Sequence, residues 1–564
     1  MVISSFLEGG PHRGTTVHGL WPNATLENFY ERPAADETRI GAWCYADRLS
    51  YLPGETVRIH VCTAAVKRYD LRVYRDGWRE TEVYVERDRP GQFHPTPFDC
   101  SVNGCGWPAA IGIVVPSDWV SGGYVIHIRG FGDDGTPVDH HFPIAIRSGD
   151  REREGRILLV TATATWVAYN DWGGSNFYEG ITGEAGNRAS PVVSTQRPFS
   201  RGFAWLPEGA PRIPLSTPPK RGAVPAYPHM DWAYANGFSK KYASAGWATY
   251  DRHFLRWAES QGLTVDVATQ HDLHADAALL DGYATVAFVG HDEYWSAAMR
   301  DNVDSYVDSG GHVARFGGNF TWQIRIEDEG RRQVCYKTDA EASDPVRDTG
   351  QRHLLTTAWD DVAVGRPGTH TFGLTGTNGI YAGWGVCVPR GSGGFTVYRP
   401  DHWAFAGTDL YYGDQLGAEA KIFGYEVDGC DYTFRDGLPY ATGSDGAPDT
   451  LEILAMGLAT TEEADHGNPG SVFFIGDADA RAIAHQRFRR TDAAAIDKVR
   501  RGSGMIACFT RGKGSVFNAA SCEWVGGLVE RDSFVERITL NVLQRHLGGA
   551  AKASASIASE DPGP

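Results

Sequence analysis

The chain has 564 residues, a formal net charge of −17, and 42% hydrophobic content that includes 17 Trp, 24 Tyr and 25 Phe. It is too long for one core, and with no basic excess to release counterions, nucleic acid and anionic membrane surfaces are excluded as partners. No apolar run reaches the length of a membrane span. The first residues show no charged, then apolar, leader pattern, and an odd nine cysteines read as reduced thiols, so a cytoplasmic protein is expected. Cys100 and Cys105 are close in sequence, but no second pair completes a zinc knuckle, and they read as structural.

Residues 1–149 are expected to form an irregular arm of about forty residues followed by an antiparallel β-sandwich-like domain. Runs such as Thr56–Val61, Asp70–Tyr74, Glu82–Val85 and Gly123–Ile128 alternate polar and apolar residues between Pro-Gly and Asp-Gly breaks, the period-two pattern of half-buried strands. The charged run Ser148–Gly155 reads as a linker. Beyond it, residues 150–548 alternate strand and helix signals. Strands are expected at Arg156–Val160, Leu263–Val267, Thr285–Val289, Gly310–Phe316, Ser471–Ile475 and Gly514–Asn518, and helices at Tyr250–Glu259, Ala277–Leu280, Ala297–Ser309 and Ser533–His546. Such alternation implies a doubly wound parallel sheet, so the fold class is α/β plus β. Two long irregular stretches, roughly 170–245 and 327–420, read as lid or pocket-wall insertions. The Ala/Ser-rich tail 549–564 is expected to be disordered.

Chemistry concentrates where strands of such a sheet end. The stretch Val286-Ala-Phe-Val-Gly290-His291-Asp292-Glu293 releases a buried strand into a loop with an imidazole and a carboxylate two residues apart, a pair that suits a metal ion with open positions. The bland alternative is that His291 caps the following helix and Glu293 supports its first turn. Thr165-Trp-Val-Ala-Tyr169-Asn-Asp-Trp-Gly-Gly174 leaves the first strand, and Gly317-Gly-Asn319 leaves the fourth, where an Asn side chain can orient a carbonyl or donate to an oxyanion. In Ile422-Phe-Gly-Tyr-Glu426-Val427 the apolar flanks suggest a buried Glu426, either a general acid/base or half of an internal salt bridge. His229 is a secondary candidate. No Gly-x-Ser-x-Gly, Gly-x-Gly-x-x-Gly or phosphate-binding Gly-x-x-x-x-Gly-Lys motif occurs, which removes those nucleophile and nucleotide readings.

Taken in chain order, Thr165–Gly174, Gly290–Ser296, Gly317–Asn319 and Gly424–Glu426 resemble the large catalytic subunit of N,N-dimethylformamidase over about residues 40–548. The resemblance implies a class I glutamine-amidotransferase-like (flavodoxin-like) sheet without its Cys triad, and a mononuclear iron held by Tyr, His and Glu. It makes His291 and Glu293 metal ligands and matches Asn319 and Glu426 to the family's pocket residues. It assigns Tyr227 to the metal and Tyr169 to the substrate pocket, with the two tyrosine roles exchangeable. It further implies a small amide substrate, a small second subunit and a higher oligomer; the chain is shorter than the large subunits it resembles. A phenolate, a carboxylate and an imidazole form a hard, anionic set that favours iron(III), and a Lewis acid answers the poor electrophilicity of an amide carbonyl. Trp166, Trp172, Phe320 and Trp322 are available as apolar walls for a tertiary formamide. The rival reading is a non-catalytic binding module with the same sheet.

Overall fold

The computed structural model describes residues 31, 37, 40–150, 153–178, 189–212, 228–381, 393–424, 426–460, 477–499 and 501–548. Tyr227, the strand expected at 471–475, the tail 549–564 and most of the N-terminal arm lie outside these residues.

Eight strands come first: β1 (Gly41–Ala46), β2 (Ser50–Tyr51), β3 (Thr56–Ala64), β4 (Arg68–Asp76), β5 (Glu80–Pro90), β6 (Ala109–Val114), β7 (Gly122–Phe131) and β8 (Pro137–Ile146). They form two sheets, ordered β1-β3-β6 and β2-β8-β7-β4-β5, antiparallel except for the β2/β8 pair and in contact through β1 with β7 and β8. The pleat decides which residues are buried: in β4, Tyr69, Leu71 and Val73 are buried while Arg68 and Asp70 face water. The last residue of β4 reaches across to the next part of the chain. Asp76 is buried and accepts from Trp247 Nε1 at 2.7 Å and from Arg252 at 3.1 Å, with Arg256 paired to it as well. A buried carboxylate is tolerated only with such partners, and these fix one turn of π-helix, Trp247–Asp251, against the sandwich.

The strands that follow include β9 (Ile157–Thr161), β10 (Val265–Thr269), β11 (Thr285–His291), β12 (His312–Gly318), β13 (Glu426–Gly429), β14 (Glu452–Thr460), β15 (Arg501–Arg511) and β16 (Gly514–Ala519), all but β13 in one large sheet. Seven of these run in the order β10-β9-β11-β12-β16-β15-β14, and β13 lies beside them, paired with Thr375–Tyr381. The pairs from β10 through β16 are parallel, whereas β16/β15 and β15/β14 are antiparallel. The sheet is therefore mixed, where strand–helix alternation alone implies a parallel one. The reason is local: only Gly512 and Lys513 separate the paired residues Arg511 and Gly514, and a two-residue turn can join only antiparallel neighbours.

After β9 comes α1 (Thr163–Tyr169), and the helices that pack on the sheet include α2 (Arg252–Ser260), α3 (Gln270–Ala275), α4 (Ala297–Ser309) and α5 (Ser533–His546). In α2, Phe254, Leu255 and Trp257 are buried, the face set by helical spacing. The helix expected at Ala277–Leu280 forms earlier, as α3. A capping box decides it: the Thr269 hydroxyl accepts from Asp272 N at 3.1 Å while the Asp272 carboxylate accepts from Thr269 N at 2.9 Å.

Candidate active site

His291 closes β11. Gly290 immediately before it has φ +71°, and a Cβ there would stand 2.4 Å from the Tyr250 ring, so only glycine fits. The imidazole is buried. Its Nδ1 donates to Ser244 O at 2.7 Å, which turns Nε2 toward the pocket. There Nε2 lies 2.7 Å from a Glu426 oxygen and 3.4 Å from a Glu293 oxygen, with Asn319 Nδ2 at 3.1 Å. Four residues from three separate strand ends thus meet at one point: His291 and Glu293 after β11, Asn319 after β12, and Glu426 at the start of β13. Asn319 has φ +64°, a left-handed conformation that Asn tolerates better than most residues. Its amide donates to Glu426, and its carbonyl accepts from the Thr321 hydroxyl at 2.6 Å.

The far side of Glu293 is phenolic. Tyr178 Oη lies 2.8 and 2.6 Å from the two Glu293 oxygens and accepts from Tyr294 Oη at 2.7 Å. Trp322 Nε1 donates to Glu293 at 2.7 Å. Tyr169, at the end of α1, stacks obliquely on Tyr178 with ring centroids 4.5 Å apart, lies 5.2 Å from the His291 ring, and its hydroxyl bonds that of Tyr178. Arg197 pins this stretch: its buried guanidinium donates to the carbonyls of Asn170, Trp172, Ser175 and Ser194. Two ammonium groups flank the phenols. Lys337 Nζ sits 3.2 Å from the centre of the Tyr178 ring, and Lys241 Nζ lies 5.0 Å from it and 5.6 Å from that of Tyr169.

Electrostatics divides the cluster. Burial disfavours a charged imidazole, but Glu426, its hydrogen bond and Glu293 outweigh it and lift His291 to about 9. Glu426 is itself pushed up, by burial first and then by Glu293, against the pull of His291 and Asn319. Without a metal the two share a proton, which His291 Nε2 gives up when it acts as a ligand. Burial and the neighbouring Glu293 hold the Tyr178 phenol well above its ordinary value. Burial lowers Lys337 to about 8, although Glu293 opposes the shift.

His291, Glu293, Asn319, Glu426 and Tyr169 therefore stand together. Of the expected apolar walls only Trp322 touches the site carboxylates: Trp172 packs edge-on against Trp107, Phe320 packs among Trp295, Trp359 and Phe372, and Trp166 meets Phe199. His229 is buried near the start of the helix Pro228–Asn236. Tyr178, Lys241 and Lys337 were not legible, because each lies in an irregular stretch with no periodic or motif signal. Cys522 also lies close, its Sγ within 4.8 Å of the ligand atoms of His291 and Glu426, but burial raises its thiol well above the ordinary value and keeps it protonated.

A family model described as N,N-dimethylformamidase beta subunit-like, C-terminal, matches residues 70–536 and so takes in every site residue above. The chain belongs to this family. The N,N-dimethylformamidase beta subunit of Paracoccus aminophilus is 22% identical over 509 residues, covering 84% of this chain and 58% of that protein. The one from an Alcaligenes species is 24% identical over 323 residues, covering 53% of this chain and 36% of that protein. The chain thus spans about half the length of the curated relatives it matches. Among solved structures, the sporulation control protein Spo0M of Bacillus subtilis aligns at a TM-score of 0.14 and 15% identity over 19% of this chain and 49% of that one, too little to carry an argument. Among the described residues no helix is long and apolar enough to cross a membrane.

Within this N,N-dimethylformamidase beta subunit-like chain, Lys337 gives a test of the site's charge balance. Its ammonium lies over the Tyr178 ring and feels the charge of Glu293. Because burial disfavours that ammonium by more than Glu293 and the ring favour it, Lys337→Met, which keeps the apolar stem, is expected to raise the stability of metal-free protein. Urea denaturation measures this, and a lowered midpoint would mean that the ammonium's contacts outweigh its desolvation.

Proposed function

We propose that this chain is an iron-dependent amidohydrolase that cleaves the C–N bond of a small N-substituted formamide, such as N,N-dimethylformamide, to formate and an amine. The observation that carries the reading is the convergence of a buried His291/Glu426 proton pair, the Asn319 amide and a Glu293 carboxylate hydrogen-bonded to a phenol, all within the region matched to the family. The order β10-β9-β11-β12-β16 of the parallel strands supports a glutamine-amidotransferase-like sheet. The relatives are named as beta subunits, and we extend this to a small second subunit and a higher oligomer for this chain.

The donor set fits iron(III). A carboxylate and a buried phenol sharing a proton are hard anionic donors once that proton is exchanged for a cation, and His291 Nε2 faces the same carboxylate. His291 and Glu293 are the ligands we assign, with a phenolate from Tyr227; Tyr178 is the phenol already seated on Glu293. When bound, the ion supplies Lewis acidity that polarises the formyl carbonyl and acidifies water. The remaining work falls to side chains. Glu426, held by the Asn319 amide, takes a proton from the attacking water as the new O–C bond forms. The Asn319 amide, with Tyr169 nearby, donates to the oxyanion of the tetrahedral species. Glu426 then returns the proton to nitrogen as the C–N bond breaks, so that formic acid and the amine leave.

Purified protein is expected to carry about one iron per chain and to release amine from a panel of N-substituted formamides, read by metal analysis and an amine assay. Metal-free protein that releases no amine from any of them would favour the binding-module reading.

A further inference from the structure

Three buried charges underlie the site and take no part in the proposed reaction. Asp292 sits between His291 and Glu293. Arg315 lies on β12, four residues before Asn319, and Asp428 lies on β13, two residues after Glu426. All three side chains are at most 1% exposed, with Arg315 Nε 3.3 Å from Asp292 Oδ2 and Arg315 Nη1 2.8 Å from Asp428 Oδ2. Each carboxylate then reaches outward. Asp292 Oδ1 accepts from Gln270 Nε2 at 2.8 Å and from Trp295 Nε1 at 2.9 Å. Asp428 Oδ1 accepts the backbone N–H of Asn319 at 2.6 Å, and its two oxygens lie 3.3 and 3.2 Å from the N–H of Phe320.

A buried acid–arginine–acid triad is a poor source of net stability, since desolvating three charges consumes most of their attraction. Its strength is geometric: the planar guanidinium fork fixes two carboxylates at set directions. Here those directions matter. Asn319 occupies a left-handed conformation that a side chain disfavours, and the two backbone N–H bonds to Asp428 are what hold that turn. Asp428 and Glu426 are two apart on one strand, so they project to the same face, and a single strand delivers both the working carboxylate and the one that holds the turn. Arg315 connects this strand to Asp292, on the loop that carries His291 and Glu293.

We propose that Asp292, Arg315 and Asp428 are positioning residues that set the Asn319 turn and Glu426 in register with His291 and Glu293. The structural arm of the test stands alone; its kinetic arm rests on the formamide reading. Asp428→Asn in the full chain keeps the volume and removes the charge that Arg315 binds. A crystal structure of this variant is expected to show Asn319 out of the left-handed region and its amide parted from Glu426. Its kcat for amine release is expected to fall about 10²-fold, the cost of misplacing a catalytic group by about 1 Å, with KM little changed. In an Asn319→Ala background the same substitution is expected to cost less than about twofold further, because residues acting as a unit are not additive. Equal losses in both backgrounds, or an unmoved Asn319, would overturn the proposal. Should Asp428→Asn fail to fold, Arg315→Lys, a point charge that cannot bridge both carboxylates, takes its place with the same expectations. Failure of both variants to fold would make the triad a stability element and overturn its positioning role. A wild-type enzyme inert on formamides sinks the substrate reading, while the crystal structure of the variant still decides the triad.

Discussion

Glu426→Gln is expected to retain fold and metal while losing roughly 10²–10⁴-fold in turnover, the usual worth of a general acid/base. The amide preserves the shape of the side chain, so the contacts to His291 and Asn319 survive in altered form, but it cannot accept a proton from water. Glu426 meets the requirements of that role on three counts. It is buried at 4% exposure, its affinity for a proton is raised, and the Asn319 amide donates to it. The backbone around it is secured elsewhere: Cys522 N donates to Glu426 O at 3.0 Å, so the substitution disturbs no strand pairing. Amine release under saturating substrate measures kcat, and metal analysis of the same preparation gives occupancy. Loss of iron in step with activity would make Glu426 a ligand and leave the proton transfers without a base.

Much of this arrangement was legible because it is local. A buried run ending in glycine announces that the strand stops, and the His-x-Glu that follows must then leave at the sheet edge; Gly290 against Tyr250 is the packing reason. Gly317-Gly-Asn319 likewise marks a tight exit, realised as the left-handed Asn319. What escaped is what depends on long-range packing. Tyr178 meets Glu293 across 115 residues from an irregular stretch, and Trp322, expected only as an apolar wall, meets it across 29 as a hydrogen-bond donor. Lys337 follows the short strand Arg332–Val334 inside a stretch that composition marks only as irregular. Helix α3 lies earlier than apolar Ala277–Leu280 suggests for a different reason: the capping box at Thr269 and Asp272 sets where the helix begins. The antiparallel half of the large sheet was missed because Glu452–Thr460 and Arg501–Arg511 went unread as strands, and with them the hairpin at Gly512-Lys513. The triad under the site shows the same limit, since sequence gives no reason to join Asp292, Arg315 and Asp428 before the strands are laid side by side.

Glu293→Ala is expected to abolish iron retention and activity together while leaving a soluble, folded chain. Among the described residues Glu293 is the carboxylate of the cluster that accepts from a phenol, and its removal leaves the Tyr178 hydroxyl and Trp322 Nε1 without this acceptor. Each such buried donor costs on the order of 1–3 kcal/mol, a loss that a chain of this size survives. The tyrosines then separate by colour. Phenolate bound to iron(III) absorbs in the visible through ligand-to-metal charge transfer, so the substitution that bleaches the wild-type band names the ligand. Tyr227→Phe is expected to bleach it and weaken iron retention, since one anionic donor is gone. Tyr169→Phe is expected to keep the colour and impair turnover through the lost contact to substrate or oxyanion. Tyr178→Phe decides between the two uses of the Glu293–phenol pair. A bleached Tyr178→Phe alongside a coloured Tyr227→Phe would move the ligand to the phenol already seated on Glu293, and a colourless iron-loaded wild type would exclude phenolate ligation by all three.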